Sequence, residues 1–223
     1  MAIIAVCGSN SDIETARAHG ATDVLMLPFE ANIVRQRLRA LIRLGMLRGE
    51  AGATAPSRPL CLLGIGVDPA LVAAHGSDGS ACVPMDNAAL VHAAQGHFDA
   101  FLIGCQPAAQ ASTLLRQLRA IDRVRTTPAM VVVGAGQQAA IESIFAAGAV
   151  DQIAGDASGD EFALRLGAIC ERKDLLAALQ ARSQNHQSVN GLDTATGLQG
   201  ADFCRRPSKA RPPAWPHRAS RYR

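Results

Sequence analysis

Residues 20–30, "GATDVLMLPFE", decide how this chain folds. Gly20 to Thr22 read as a turn. Asp23 to Leu27 read as a short buried strand, and Pro28-Phe29 as its end. Behind it, "EANIVRQRLRALIRLG" (30–45) places Ile33, Leu38, Leu41 and Ile42 on one helical face. Arg35, Arg39 and Arg43 fall mostly on the opposite face, and Gly45 supplies a stop. In front, "AIIAVC" (2–7) is a continuous apolar strand. "SNSDIETARAHG" is a helix with Ser and Asn for its cap, Asp12 and Glu14 in its first turn, and Gly20 at its end. The opening is therefore strand–helix–strand–helix.

After a small, polar, Pro-containing stretch, "MLRGEAGATAPSRP" (46–59), which reads as a linker, the alternation resumes. "LCLLGIG" (60–66), "SACVPM" (80–85), "FDAFLIG" (98–104), "AMVVVG" (129–134) and "DQIAG" (151–155) are strands. "NAALVHAAQG" (87–96), "QASTLLRQLRAID" (110–122), "QQAAIESIFAAG" (137–148) and a long amphipathic stretch (160–184) are helices. Short joins between alternating strands and helices imply an α/β fold, a doubly wound parallel sheet with helices on both faces.

The stretch "GAVDQIAGDASGDEF" (148–162) repeats the opening one. At an offset of 128, Gly20-Ala21 meets Gly148-Ala149, Ile13-Glu14 meets Ile141-Glu142, and Asp23 meets Asp151. Without gaps, Ile3-Ile4 meets Val131-Val132 and Gly8 meets Gly136, and a gap is expected after the second strand. Two related units lie one domain length apart. The second is complete, and the first has only the last two strands and helices.

Composition narrows the function classes. Hydrophobic residues make up 48% and aromatics 4%, so the core is built from Ala, Leu, Val and Ile. No apolar run approaches the ~20 residues of a membrane span, and the N-terminus lacks a signal peptide's basic flank. The six cysteines form no CxxC and read as reduced thiols of a cytoplasmic protein. From Phe203 to Arg223 there are seven basic residues and no acid; without them 15 basic residues stand against 19 acidic. The folded part is thus mildly acidic, with no basic face for nucleic acid.

The run of apolar strand, helix, "GA.D", strand, Pro-Phe and basic helix resembles the end of a response-regulator receiver domain, the CheY-like family. The likeness covers about 2–45 and 60–181. It implies a five-stranded sheet carrying a phosphorylatable Asp, an acidic pair for Mg²⁺, a Ser/Thr and a Lys. At the acceptor's place after "FDAFLI" stands Gly104, and at the acidic pair's place stand Gly64-Ile65. Asp68 lies just downstream, and Asp99 lies at the far end of its strand, about 16 Å away at ~3.3 Å per residue. Val133 to Gly136 offer no hydroxyl and Gly155 no amine; the first unit has Cys7 and Leu27 at the matching places. The expectation is a pseudo-receiver, with no catalytic residue, phosphoacceptor, metal or cofactor.

"GLDTATGLQGADFCRR" (191–206) is similar to the opening of a GGDEF domain through Asp193, Thr196, Gly197, Leu198 and Phe203. The layout resembles the receiver–receiver–GGDEF regulators of the PleD and PopA type. It implies residues 1–45 as a half receiver, 46–59 as linker, 60–181 as pseudo-receiver, 182–206 as linker and GGDEF remnant, and 207–223 as a disordered basic tail. The expected role is a non-enzymatic adaptor of a phosphorelay, tied by resemblance to cyclic di-GMP signalling. It would dimerise or dock a protein partner through Leu25, Phe29, Arg35, Leu38 and Arg39. Two alternatives stand beside it. "GAGQQA" (134–139), with Asp156 beyond, fits a dinucleotide-binding loop of a Rossmann-type NAD enzyme. Otherwise the chain is a truncated remnant without activity.

Overall fold

A computed structural model describes residues 3–29, 31–51, 59–134 and 141–189, with the side chains of 32, 33, 36, 141 and 184–189 outside the description. The GGDEF-like stretch and the basic tail lie outside these residues, as does most of the "GAGQQA" loop. Met1–Ala178 forms one compact unit, so the two repeated segments share a body rather than standing apart on a linker. Leu179–Arg223 is the second unit.

In chain order come β1 (Ile4–Cys7), α1 (Asn10–Ala18), β2 (Asp23–Met26) and α2 (Ala31–Ala51). The chain continues with β3 (Leu62–Ile65), α3 (Pro69–His75), β4 (Ala81–Val83), α4 (Asn87–Gln95), β5 (Ala100–Gly104) and α5 (Ala108–Ala120). Then follow β6 (Ala129–Val133), α6 (Ile141–Ala146), β7 (Asp151–Ala154) and α7 (Gly159–Val189). Strands β3 to β7 make a parallel sheet of order β4-β3-β5-β6-β7. That is the 2-1-3-4-5 order of flavodoxin and CheY, the predicted doubly wound fold. Strands β1 and β2 make a separate parallel pair.

Period-two alternation sorts the five-stranded core onto two faces. Leu63, Ile65, Phe101, Ile103 and Val131 pack against Ala89 and Ala93 of α4, Leu115 and Leu118 of α5, and Ile144 of α6. Leu62, Leu102, Met130 and Ile153 face the other way, onto Val72 of α3 and Phe162, Leu166, Ile169 and Cys170 of α7.

The repeat is closer than the sequence suggests. Gly20 and Gly148 both end a helix at positive φ, 83° and 109°. Ala21 N–H donates to Ala16 O, as Ala149 donates to Ile144 O. α2 begins at 31 and α7 at 159, so no gap follows the second strand. The gap lies earlier. β1 pairs Ile4 with Asp23, whereas β6 pairs Met130 with Asp151. Ile4 therefore answers Met130, Ala5 answers Val131 and Val6 answers Val132, not the gap-free matches at 128.

Two boundaries need correction. The helix after β2 does not stop at Gly45, because α2 runs to Ala51 and residues 46–51 are not linker. Leu41 and Leu44 continue its buried stripe, and Arg48 forms an ion pair with Glu171. These contacts outweigh the ~1 kcal/mol each that Gly45 and Gly49 cost a helix interior. Likewise α7 passes through 181 to Val189, so 182–189 is helix rather than linker; no Gly or Pro falls between 182 and 190.

Candidate functional site

The doubly wound fold places a crevice at the C-terminal strand ends, where the chain turns from β3 out to β4 and back to β5. Here the crevice has a volume of about 480 Å³ and is lined by Gly66, Asp68, Gly104, Cys105, Gln106, Val132, Gly134 and Gly155, among others. The floor is backbone. Gly104 ends β5 at the place predicted for a phosphoacceptor, and the residue has no room to be anything else. A Cβ there would stand 2.1 Å from Gly66 O. Gly66 itself takes φ 63° and sends its N–H to Val83 O at 2.9 Å, which ties the turn after β3 to the end of β4.

The predicted acidic-pair position moves by two residues. Gly64 lies inside β3 rather than at its tip, and a Cβ on it would meet Val72 and Val67 methyls at 2.4 and 2.8 Å. The tip is Gly66 to Asp68. Asp68 faces the crevice alone, and its carboxylate accepts from Ala70 N–H at 2.9 Å as the N-cap of α3. Asp99 sits at the other end of β5, as expected, accepting from Cys61 N–H at 2.9 Å. Cys105 is buried, and burial pushes its thiol above the ordinary range. Among the described residues no group of three His, Cys, Asp or Glu could hold a metal ion. In the first unit, buried Cys7 ends β1 and exposed Leu27 follows β2. Burial raises the Cys7 thiol, with Asp12 and Glu161 adding to the effect.

The dinucleotide loop would open at Gly134, after β6. The switch point lies between β3 and β5, a strand away from it. Residues 135–140 of that loop lie outside the described residues.

The predicted docking face has a different fate. Leu25, on β2, is only 4% exposed and so is not open to a partner. Phe29, Arg35, Leu38 and Arg39 are exposed. The β2–α2 edge, however, already meets α7. Arg37, 5% exposed, donates through Nη1 to Asp23 Oδ1 at 3.0 Å and Val24 O at 2.7 Å, and its Nη2 stands 4.0 Å from Glu161. Arg165 repeats the device at the same offset of 128. Its Nη1 donates to Gln152 O at 2.6 Å, and its Nη2 pairs with Glu161. Arg17 pairs with Asp160 at 3.0 Å, and Arg48 grips both Glu171 oxygens at 2.7 and 2.6 Å. Leu164 of α7 packs onto the small core of Cys7, Ile13 and Val24.

Two buried acids, Asp23 and Glu161, meet two arginines at this seam, with the partly buried Asp151 beside them. Desolvation raises the Asp23 and Glu161 carboxyls, with Arg37 opposing in both. Asp151 is pushed up to about 7, mainly by desolvation, with Asp23 and Glu161 adding to the rise and Arg37 opposing it. Among the described residues, Arg37 Nε, Arg165 Nε and Gln152 Oε1 find no hydrogen-bond partner. Sequence reasoning missed Arg37, Arg165 and Glu161. The signal was available, because the offset that joins Asp23 to Asp151 also joins Arg37 to Arg165.

No family model and no curated protein matches the chain. Solved structures do. The receiver domain of sensor histidine kinase PA1611 from Pseudomonas aeruginosa PAO1, crystallised with magnesium in its active-site cleft, is 20% identical. The match covers 51% of this chain and 98% of that one, at a TM-score of 0.41. The GsuK channel matches at 14% identity over 79% of this chain and 46% of that one, at a TM-score of 0.32. Strand order and parallel register, rather than these partial overlaps, define the fold as a CheY-like doubly wound sheet.

Proposed function

We propose that this chain is a non-catalytic adaptor of two-component signalling, a pseudo-receiver that works by docking rather than by phosphoryl transfer. Gly104 carries the reading. The acceptor position has no carboxylate, and Gly66 O occupies the space that any side chain there would need. A lone capping aspartate, Asp68, leaves Mg²⁺ short of the oxygen ligands it requires. The seam between β2–α2 and α7 supports a docking role. It joins two receiver-like pieces through their last strands and helices, a contact a second chain could imitate. The link to cyclic di-GMP rests on the likeness at 191–206 alone.

The test is incubation of the full chain with acetyl phosphate and Mg²⁺, read by intact mass and peptide mapping. No aspartyl phosphate is expected. An adduct at Asp68 or Asp99 overturns the reading. Gly104→Asp should also stay unlabelled and lose stability, by about 1–3 kcal/mol for an overpacked site. GTP should yield no cyclic di-GMP.

A further inference from the structure

The two copies of one β–α unit are covered differently, and among the described residues the first copy keeps an open apolar face. Leu41 and its counterpart Ile169 are both 7% exposed, and Leu25 matches Ile153 in being buried. On the neighbouring side the match fails. Leu38 is 42% exposed where Leu166 is 2%, and Ile42 is 61% exposed where Cys170 is 3%. Val6 is 58% exposed, whereas its counterpart Val132 is half-buried. Met46, at 62%, extends the stripe by a turn. In the complete copy, β5 pairs along β6, and Val72 of α3 with Leu62 and Leu102 closes over this surface. Among the described residues, β1 pairs with β2 alone, so one edge of β1 is open as well.

Charge decides what could cover this face. Arg35, Arg39 and Arg43 stand exposed at i, i+4 and i+8 beside Leu38, Ile42 and Met46. No ion pair among the described residues engages them. Their counterparts in the complete copy are Ala163, Gly167 and Glu171, so the basic row belongs to the open copy only. The chain's own C-terminal stretch has seven basic residues and no acid after Phe203, and would be repelled. A second copy would bring the same patch against itself across a two-fold axis, setting arginines against arginines.

We propose that this face takes a strand–helix segment of a different protein, its strand added along the open edge of β1 and its apolar helix, flanked by Asp or Glu, laid on Leu38, Ile42 and Met46. The inference rests on the docking reading above and names the partner's chemistry. Strand addition satisfies the open backbone edge. The apolar helix face supplies the cover that α3 gives the complete copy, and the acids select among partners.

The test uses the full chain and two fluorescein-labelled amphipathic peptides of about four turns. They share a Leu/Val stripe and differ in having Glu or Lys on its flanks. Anisotropy should show the Glu peptide binding about tenfold or more tighter at low salt, a preference that shrinks as salt rises. Ile42→Asp and Leu38→Gln, both at exposed positions and checked for unchanged melting, should abolish binding. Arg39→Glu should weaken the Glu peptide and strengthen the Lys one. Equal binding of the two peptides, or binding untouched by both apolar variants, overturns the proposal. So does dimerisation of the chain alone that Ile42→Asp abolishes. Aspartyl phosphorylation alongside intact Glu-peptide binding would sink the non-catalytic reading and leave this surface standing.

Discussion

The half unit β1–α2 and the complete unit β3–α7 use the same local chemistry to opposite ends. Each turns through a left-handed glycine, runs a strand that begins with aspartate, and locks the following helix to that strand with a buried arginine. In the complete unit the helix also closes over a sheet of five strands. In the half unit its outer stripe of Leu38, Ile42 and Met46 stays exposed among the described residues. The two arginines converge on Glu161, so the incomplete copy borrows from the complete one the helix that helps to bury it. Two strands and two helices thus keep the geometry of the last strands and helices of the five-stranded unit while packed against that unit's final helix.

The largest way to break the comparison is to remove the shared arginine. Arg37→Ala leaves Asp23 and Glu161 buried with less compensation, and should cost about 3–5 kcal/mol in urea titration. Limited proteolysis should then attack β1–α2 first, leaving β3–α7 protected. Simultaneous loss of both units would show that the seam, not each unit's own sheet, holds the body together.

A matched pair sharpens the point. Leu166→Ala opens a cavity in the sealed core and should cost about 2–5 kcal/mol. Leu38→Ala, at the equivalent place in the half unit, removes a side chain that is 42% exposed, and should cost less than about 1 kcal/mol. Similar costs in the isolated chain would mean that the half unit is covered in solution.

Proton linkage at the seam gives a smaller effect with a definite sign. An ordinary aspartate ionises near pH 4. With Asp151 raised to about 7, the folded chain holds a proton that the unfolded chain has released between those values. Stability therefore falls as pH rises through that window and levels off above it. The raised Asp23 and Glu161 carboxyls act in the same direction. Asp151 keeps partial exposure as a residue, so solvent screening reduces the effect to about 1–3 kcal/mol. Denaturation midpoints at several pH values should show Asp151→Asn gaining on the parent as pH rises. A parallel pair of profiles would remove Asp151 from the seam's titration.

Much of the fold was legible because its signals are local. Apolar runs such as "AFLIG" and glycines such as Gly20 and Gly148 need no partner to be read. That β5 ends in a glycine, Gly104, was legible too. That Gly66 O closes the position was not, because it depends on two turns meeting in space. Gly45 misled for a similar reason: its helix penalty is local, while the Arg48–Glu171 pair that carries α2 past it joins residues 123 apart. Leu25 was misassigned because an apolar strand residue beside a helix reads alike whether it is open to a partner or buried.

The smallest effects separate ion pairs that look alike on paper. Arg17–Asp160 and Arg48–Glu171 both tie the half unit to α7. The first joins side chains 55% and 46% exposed through one contact; the second is bidentate between side chains 20% and 14% exposed. Water screens the first and not the second, so Arg17→Ala should cost about 0.2–1 kcal/mol and fade at high salt. Arg48→Ala should exceed it and resist salt, since a planar fork on a half-buried carboxylate holds two short charge-assisted bonds. Arg48→Lys tests geometry rather than charge. It keeps the cation and loses the fork, so it should recover only part of the difference. Full recovery by lysine would reduce the seam to simple charge attraction, which a second chain could supply with any acidic surface.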